Sequence, residues 1–367
     1  MKLRRLTGLL LSLVLLFCTG CSQSAAPRSA PSPTAEEQAL SSPPETSAEA
    51  PSNQQAEETV SAEKNAPAPA QEVSFTLCAY LPVSSMTQGA AAVAEEYAGS
   101  IAALDYLVLN TGAYWGENGA LSLSDELLDA IETLQGKTAL WCTVNPQGAL
   151  IREGTAGQSI DSPQERQALA QEIAAFAEQY GLAGIDIDWE FPLDDEWEDF
   201  STFLIALKDT LSRNSEPVAL SLALYPEEIS LSEEAIAALD RIHVMAYDQF
   251  DSEGFHSTMQ AAEDAVAYFT ALGASPQQLV LGIPAYGRPL DGSAQWVFYK
   301  DIDPESISGE NPDLVGDISF NSAATAAQKT QYALEQNLGG VMVYQLLCDR
   351  NDQDALILAC ANMAENA

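Results

Sequence analysis

Residues 181–192 read GLAGIDIDWEFP, and this stretch holds the pattern from which the fold is inferred. Three acids, Asp186, Asp188 and Glu190, alternate there with Ile and Trp, and no Lys or Arg stands among them. Side chains two residues apart in a β-strand point to the same face, about 7 Å apart. The three carboxyls are therefore expected to share one side of a strand, while the apolar side chains pack on the other.

On either side of this stretch, short β-branched or apolar runs alternate with longer helical ones. The predicted strands lie at 75–81, 104–110, 138–144, 184–190, 217–224, 241–247, 278–286 and 339–346. The predicted helices lie at 88–100, 124–135, 162–180, 197–213, 231–239, 258–273, 322–337 and 352–365. Helix 162–180 begins with Ser162 as its cap and Pro163 at its first position, and it ends before Gly181.

Eight strands alternating with helices predict an α/β fold for residues 73–367, a single closed (β/α)8 TIM barrel. An open doubly wound sheet is the alternative, but no G-x-G-x-x-G follows the first strand. Because a barrel places its chemistry at the C-terminal strand ends, Glu190 is expected topmost and Asp186 deepest. Burial and like charge disfavour ionisation, so the triplet should hold at least one proton near neutral pH, as a general acid requires.

The first 72 residues are predicted to lie outside the barrel. Residues 1–20 carry Lys and Arg before an apolar run that is too short to span a bilayer, which is typical of a secretory signal. The signal ends at a Thr-Gly-Cys sequence that resembles a bacterial lipobox, with Cys21 acylated; ordinary cleavage near Ala25 or Ala26 is the alternative. Residues 21–72, rich in Ser, Pro, Ala and Glu, are predicted to form a disordered linker. Together these features predict an exported, lipid-anchored protein at the bacterial cell surface, or a secreted one.

The composition limits which kinds of partner and cofactor the protein is expected to bind. The formal net charge of −38 argues against nucleic acid and against docking on an anionic membrane surface, so only the N-terminal lipid is expected to meet a membrane. The presence of only two histidines disfavours zinc hydrolase sites and Ser-His-Asp chemistry, and no cofactor or metal is implied. Outside the export signal, which contains Cys18 and Cys21, the cysteines are Cys78, Cys142, Cys348 and Cys360. The first three lie in or beside apolar runs and are predicted to be buried thiols, with a Cys78–Cys348 bridge as the alternative.

The sequence GIDIDWEFP resembles the signature of glycoside hydrolase family 18, the chitinase family, usually met as DGIDIDWEYP. VMAYD at 244–248 resembles the M-x-Y-D of the family's sixth strand, and LVLGIPAYGR at 279–288 resembles its seventh-strand G-x-P-x-Y-G-R. GGVMVYQL at 339–346 resembles the closing strand. The resemblance covers about residues 75–366, in the family's order and with the matched residues at strand ends.

The resemblance implies a retaining glycosidase in which the substrate's own N-acetyl oxygen attacks the anomeric carbon. Glu190 would protonate the glycosidic oxygen and then act as the base for water. Asp188 would hydrogen-bond the acetamido N–H and stabilise the oxazolinium-like intermediate, and Asp186 would share a proton with Asp188 from below. Tyr247 would donate a hydrogen bond to the acetamido carbonyl and so align it as the nucleophile.

Further residues are implied to contact the substrate or shape the mouth of its site. They are Tyr80, Met245, Asp248, Tyr286, Arg288 and Tyr344. Among these, Tyr80 and Tyr344 stand at strand ends where sugar rings could stack on them, and Arg288 is expected to be structural. Trp189 alternates outward from the acids and is therefore interpreted as packing.

The chain departs from the family pattern at four places. Ala183 replaces the leading Asp of the signature, and Trp141–Pro146 (WCTVNP) stands where the family commonly has S-x-G-G. Tyr344 replaces the Trp that usually floors the sugar site and offers a smaller stacking area. Residues 289–321, between the seventh strand and its helix, are few for the α+β insertion that deepens the cleft of processive chitinases. A shallower, endo-acting groove is expected.

Two classes of function stay open. The first is an active glycosidase that cleaves β-1,4-linked N-acetylglucosamine glycans, such as chitin fragments, or an endo-β-N-acetylglucosaminidase acting on N-glycans or peptidoglycan. The second is a catalytically silent barrel that only binds sugar at the cell surface. Silent relatives typically lose the acid at the position of Glu190. That acid is present here together with Asp188 and Tyr247, which favours activity.

Overall fold

The computed structural model describes residues 74–190, 192–307 and 311–367. The predicted signal segment 1–20 and linker 21–72, with Cys21, lie outside the described residues. Among the helices of the described ranges, none is both long and apolar enough to cross a bilayer.

Eight parallel strands close into a barrel, which confirms the predicted fold. They are β1 (Thr76–Pro82), β2 (Tyr106–Trp115), β4 (Ala139–Pro146), β5 (Gly184–Ile187), β6 (Ala219–Leu224), β7 (Arg241–Val244), β8 (Leu279–Pro284) and β13 (Gly340–Tyr344). The other described strands are β3 (Leu121–Leu123), β9 (Tyr286–Pro289), β10 (Val297–Phe298), β11 (Leu314–Val315) and β12 (Ile318–Ser319). Strand β1 pairs in parallel with both β2 and β13, so the sheet has no free edge at its ends.

Helices connect the strands. They are α1 (Ala90–Glu96), α2 (Ala98–Ala103), α3 (Asp125–Leu134), α4 (Gly148–Glu153), α5 (Pro163–Tyr180), α6 (Trp197–Leu211), α7 (Glu233–Ala238), α8 (Met259–Ala271), α9 (Ala323–Glu335) and α10 (Leu356–Glu365). The helix predicted over 88–100 is two helices, because the backbone leaves helical geometry at Tyr97 (φ −105°, ψ 22°). Helix α4 was not predicted, and the last helix begins at Leu356 rather than at residue 352.

The helix before the acidic strand has the predicted ends. Ser162 Oγ accepts from the backbone N–H of Glu165, and the Glu165 carboxylate accepts from the backbone N–H of Ser162. Gly181 ends α5 in the left-handed region at φ 62°. Three residues later Gly184 starts β5, where an added Cβ would lie 2.1 Å from the Trp141 ring. Glycine is therefore required where the indole of the paired strand β4 packs over β5.

The apolar face of the acidic strand packs outward against the helices. Ile185 and Ile187 are fully buried, and Trp189 is 2% exposed. The Trp189 ring makes edge contacts with Trp115 and Phe200, with centroids 6.1 and 5.1 Å apart. The interpretation of Trp189 as a packing residue is confirmed.

Between β8 and α9 the chain folds into a small antiparallel sheet with the order β10-β9-β12-β11. This sheet and the segments that connect its strands, within residues 286–321, are called the insertion below. The four cysteines of the barrel are buried and free, so the alternative of a Cys78–Cys348 bridge is wrong.

Candidate active site

The three acids occupy successive levels of the barrel. Asp186 is fully buried and lies in register with Thr143 of β4 and Ser221 of β6. Asp188 and Glu190 follow the end of β5 and are partly accessible. The acids therefore rise from the closed interior toward the ends of the strands, in the order that the alternation predicts. We call them the acid ladder.

The deepest acid is surrounded by hydroxyl groups. Tyr80 Oη donates to Asp186 Oδ2 at 2.8 Å, and Thr143 Oγ1 donates to the same oxygen at 3.0 Å. Ser221 Oγ donates to Oδ1 at 2.5 Å. Hydrogen bonds from three hydroxyl groups therefore hold this carboxyl in place. The hydroxyl of Tyr80 therefore bonds to the deepest acid of the ladder, whereas the resemblance implied that Tyr80 contacts the sugar.

The middle acid has an unsatisfied oxygen. The backbone N–H of Asp188 donates to Asn145 Oδ1 at 2.8 Å, but its side-chain Oδ1 is buried without a hydrogen-bond partner. Burial, then the charges of Glu190 and Asp186, raise the pKa of Asp188 well above its ordinary value. A buried acceptor left unpaired costs free energy, and a ligand N–H placed there would remove that cost.

Tyr247 lies beside the two upper acids. Its ring stacks on Tyr344 with centroids 5.6 Å apart. An added Cβ on Gly282 would come within 2.8 Å of the Tyr247 ring, so the absence of a side chain at Gly282 leaves space for that ring. Burial, then the neighbouring Tyr344, Asp188 and Glu190, raise the pKa of Tyr247 well above its ordinary value. The phenol therefore keeps its proton and remains a hydrogen-bond donor.

Asp248 is fixed by two partners on β9. Tyr286 Oη donates to Asp248 Oδ2 at 2.6 Å, and the Arg288 guanidinium forms an ion pair with Oδ1. Arg288 also donates to the backbone carbonyl of Ser293 in the insertion and lies over the Phe250 ring. Burial raises the pKa of Asp248, and these two partners oppose that rise.

Aromatic rings line one wall of the site. Trp296, from the insertion, stacks face to face on Tyr286 and meets the edge of Tyr344. Met245 is half-buried and packs against the same group of rings, and Tyr344 also contacts Tyr80 at 5.7 Å. Trp296 was missed from the sequence because it lies in a segment without strand or helix periodicity.

A histidine lies beside the deepest acid of the ladder. His243 on β7 is fully buried, with Nδ1 2.6 Å from Tyr80 Oη and 3.3 Å from Asp186 Oδ1. Its Nε2 is 2.9 Å from Tyr106 Oη. His243 was not predicted as a site residue. The available signal was a histidine between the apolar residues Ile242 and Val244 of a predicted strand.

Within the described ranges, no group of three or more His, Cys, Asp or Glu side chains is arranged to hold a metal ion. The chemistry that the site offers is that of two adjacent carboxyls, a protonated tyrosine and a wall of rings.

Comparison with known proteins gives a family match and a shared fold. The model of the family "Glycosyl hydrolases family 18" matches residues 61–349. "Probable chitinase 2" of Drosophila melanogaster is 27% identical over 181 residues, which cover 44% of this chain and 37% of that protein. "Chitinase 1" of Aphanocladium album is 25% identical over 252 residues, covering 54% and 60%. The chain thus spans less than two thirds of the length of these curated relatives.

Solved structures share the barrel. A chitinase from Bacteroides thetaiotaomicron has a TM-score of 0.66 and 21% identity, with 79% of this chain and 96% of that one covered. A GH18 chitinase from Cycas revoluta, in complex with (GlcNAc)3, has a TM-score of 0.60 and 20% identity, covering 78% and 99%. At these identities the likeness is one of fold.

Proposed function

The chain belongs to glycosyl hydrolase family 18, and from that premise we propose that it is an active retaining glycosidase that cleaves β-1,4-linked N-acetylglucosamine glycans with the help of the substrate's acetamido group. The observation that carries the proposal is the unpaired, buried Oδ1 of Asp188 beside Glu190. An acetamido N–H is the ligand group that such an oxygen accepts.

In the first step Glu190 gives its proton to the glycosidic oxygen, and the electron pair of the breaking C–O bond goes to that oxygen. The acetamido oxygen forms the new bond to the anomeric carbon, while Asp188 accepts from the acetamido N–H and balances the positive charge that develops there. Tyr247, held protonated by its burial, donates to the acetamido oxygen and orients it.

In the second step the Glu190 carboxylate takes a proton from water as that water attacks the anomeric carbon and the acetamido oxygen leaves. Two inversions at one carbon give net retention. Asp186 lies below the reacting groups and is held by hydrogen bonds from the hydroxyls of Tyr80, Thr143 and Ser221.

The proposed substrate class is supported by the aromatic residues that line the site and by the ligand of a structurally similar protein. Tyr344 and Trp296 offer faces and edges to the C–H side of a sugar, while Asp248 and Met245 border the same subsite. The oligosaccharide of N-acetylglucosamine in the Cycas revoluta structure supports this substrate class. Tyr286 and Arg288 act through Asp248, which they hold in place.

The test is a glycan panel digested by the wild type and by Glu190→Gln. The panel contains N-acetylchitooligosaccharides, the glycan strands of peptidoglycan and an N-glycan with its chitobiose core. Cellooligosaccharides, which lack the acetamido group, serve as the control. We expect the wild type to cleave at least one acetylated glycan and none of the cellooligosaccharides. The Glu190→Gln variant is expected to cleave none of the glycans. Binding without turnover by the wild type would favour the silent sugar-binding alternative.

We also propose that the chain is exported and tethered through an acylated Cys21, with residues 21–72 as the spacer. The apolar run and the Thr-Gly-Cys end of the signal support this. The Cys21→Ala variant is expected to leave the membrane fraction. Unchanged membrane retention of that variant would refute the anchor.

A further inference from the structure

Asn145, near the end of β4, contacts the middle acid of the ladder. Its Oδ1 accepts from the backbone N–H of Asp188 at 2.8 Å. Thr143 is the one hydroxyl residue of WCTVNP, and aligning it with the Ser of S-x-G-G puts Asn145 where the family pattern has its first glycine. The chain therefore carries a polar side chain beside the ladder, at a position where the resemblance implies no side chain.

The pairing of the strands explains why this side chain meets Asp188. Strands β4 and β5 pair in parallel up to Thr143 and Asp186, and β5 ends one residue later. Because side chains two residues apart share a face of a strand, Asn145 and Asp188 come next on the inner face of the barrel. Pro146 disfavours helical backbone at the residue before it and so keeps Asn145 extended. The Asn145 side chain thus continues the contact between the two strands beyond their last paired residues.

The backbone hydrogen bond fixes the orientation of the Asn145 amide. Only the oxygen of a side-chain amide can accept from an N–H group, so Oδ1 faces the Asp188 backbone, and Nδ2 with its two hydrogens occupies the other corner. Burial, then the charges of Glu190 and Asp186, raise the pKa of Asp188, and a hydrogen bond from the Asn145 side chain opposes this rise. The amide therefore donates to the carboxyl of the same residue whose backbone it holds.

The two oxygens of the Asp188 carboxyl are then unequal. Its Oδ1 is buried without a hydrogen-bond partner, so the Nδ2–H group of Asn145 acts on Oδ2. Because a carboxyl group is planar, holding Oδ2 also fixes the direction of Oδ1. One oxygen is thus left, in a fixed direction, to accept from a ligand.

We propose that Asn145 is a positioning residue of the active site: its amide holds the backbone and Oδ2 of Asp188, so that Oδ1 faces the acetamido N–H of the substrate. This inference rests on the proposed function for the identity of the ligand group, whereas the contact between Asn145 and the Asp188 carboxyl does not. A donor to the carboxyl also favours its ionised form, in which it can balance the positive charge of the intermediate. Asn145 therefore counteracts the two neighbouring acids, which disfavour that form.

The titratable groups that face Asp188 come from several elements. They are Asp186 and Glu190 on its own segment, Tyr80 on β1, Tyr114 on β2, Tyr247 after β7 and Tyr344 on β13. Burial raises the pKa of all four tyrosines, so they stay neutral. Since none of these groups brings a positive charge, a neutral donor such as the Asn145 amide is what favours the Asp188 carboxylate.

The first arm of the test follows the Asp188 carboxyl itself. The full chain is labelled with ¹³C at the aspartate side-chain carboxyls, and Asp188→Asn identifies the Asp188 signal. In Asn145→Leu, which keeps the size of the side chain without its polar atoms, the pH midpoint of that signal should rise by about one pH unit. Asn145→Ala removes the same atoms without adding bulk and takes the place of the Leu variant if that variant does not fold. A midpoint equal to that of the wild type overturns the proposal.

The second arm follows the same contact through turnover, in which the acid-side pH midpoint of kcat/KM reports the ionisation of Asp188. Asn145→Asp still accepts from the Asp188 backbone but replaces the donor with a further acceptor, so this midpoint should rise by about one pH unit or more. Gln147→Glu is the matched control, because it makes the same amide-to-carboxyl change two residues along, where the side chain donates to Ser122 Oγ of β3. The midpoint of the control should stay that of the wild type.

An unchanged acid-side midpoint in a folded Asn145→Asp variant overturns the proposal, because support of the backbone alone would leave that midpoint in place. Equal rises in Asn145→Asp and Gln147→Glu also overturn it, since they would show a general effect of added charge. If the wild type cleaves no glycan, the proposed function fails, while the carboxyl titration still decides whether Asn145 acts on Asp188.

Discussion

Trp296 and Tyr286 stack face to face, with ring centroids 3.8 Å apart and an interplanar angle of 1°. Trp296 lies between β9 and β10, Tyr286 lies in β9, and the Tyr286 hydroxyl donates to Asp248. The insertion therefore reaches the candidate site through Tyr286 and Arg288, which contact Asp248, and through Trp296, which contacts Tyr344. Trp296 keeps part of its surface exposed, which leaves it available to a sugar as well.

The Trp296→Ala variant should lose substrate affinity more than catalytic rate. Loss of one aromatic contact is worth about 1 kcal/mol, so KM for N-acetylchitooligosaccharides should rise roughly fivefold while kcat changes less. Phe298→Ala is the matched control, because Phe298 lies in the same insertion, is 39% exposed and makes no ring contact with the site. Equal KM values in the two variants would place the substrate elsewhere.

The Asp188→Asn variant should lose kcat without unfolding. The amide keeps the size of the side chain but cannot balance the positive charge of the intermediate, and losses of about 10²–10⁴-fold are typical for such a group. Its raised pKa indicates that the native carboxyl is already costly to ionise before substrate binds. Asp195→Asn, an exposed acid a few residues along the chain, is the control in steady-state assays. Comparable kcat in both variants would contradict the role given to Asp188.

The Tyr247→Phe variant should keep the stack on Tyr344 and lose only the hydroxyl. Because that hydroxyl is the proposed donor to the acetamido oxygen, kcat should fall by about 10²-fold with little change in the free energy of unfolding. Tyr332→Phe on the outer helix α9 provides the same chemical change away from the site. Denaturant titration and initial rates, measured on both variants, separate a lost donor from lost packing.

The sequence predicts the barrel well because its signals are local. Alternating strand and helix periodicity needs only neighbouring residues, and the three acids of the predicted strand 184–190 are placed on one face by their spacing alone. The partners of Asp186 were not predictable, since Tyr80, Thr143 and Ser221 come from three strands that meet only when the barrel closes. Likewise His243 shows as a polar residue in an apolar strand, but its contacts with β1 and β2 depend on the folded arrangement.

As pH falls, the free energy of unfolding of the His256→Phe variant should decrease less than that of the wild type. His256 packs between Phe250 and Tyr286, and burial, then the charges of Lys329 and Arg288, lower its pKa from 6.5 to about 3. The unfolded chain therefore takes up a proton between pH 6.5 and 3 that the folded chain excludes. The free energy of unfolding falls through this window as pH falls.

Between pH 7 and pH 4 the wild type should lose on the order of 3 kcal/mol more than His256→Phe. Urea titrations at both pH values measure the difference, and carboxylates that titrate in both proteins cancel in the comparison. Parallel losses of stability would show that the folded protein can protonate His256 after all.

The Lys329→Met variant tests the same linkage on the alkaline side. Lys329 Nζ is fully buried and donates to the Ser257 carbonyl at 2.7 Å, the Ser257 hydroxyl at 2.9 Å and Asn321 Oδ1 at 2.8 Å, so it ties the loop after β7 to the end of the insertion. Burial lowers its pKa from 10.5 to about 7. Between these values the unfolded chain binds the proton that the folded chain has released, so the wild type gains stability as pH rises.

From pH 7 to pH 9 that gain should be about 2 kcal/mol larger in the wild type than in Lys329→Met, because methionine has no proton to release. The variant also leaves the oxygens of Ser257 and Asn321 without their donor, which lowers its stability by a similar amount at every pH and does not alter the slope. Urea titrations at pH 7, 8 and 9 separate the constant offset from the slope. Equal slopes would mean that Lys329 stays charged in the folded protein up to pH 9, with its three oxygen partners sufficient to hold the ammonium ion.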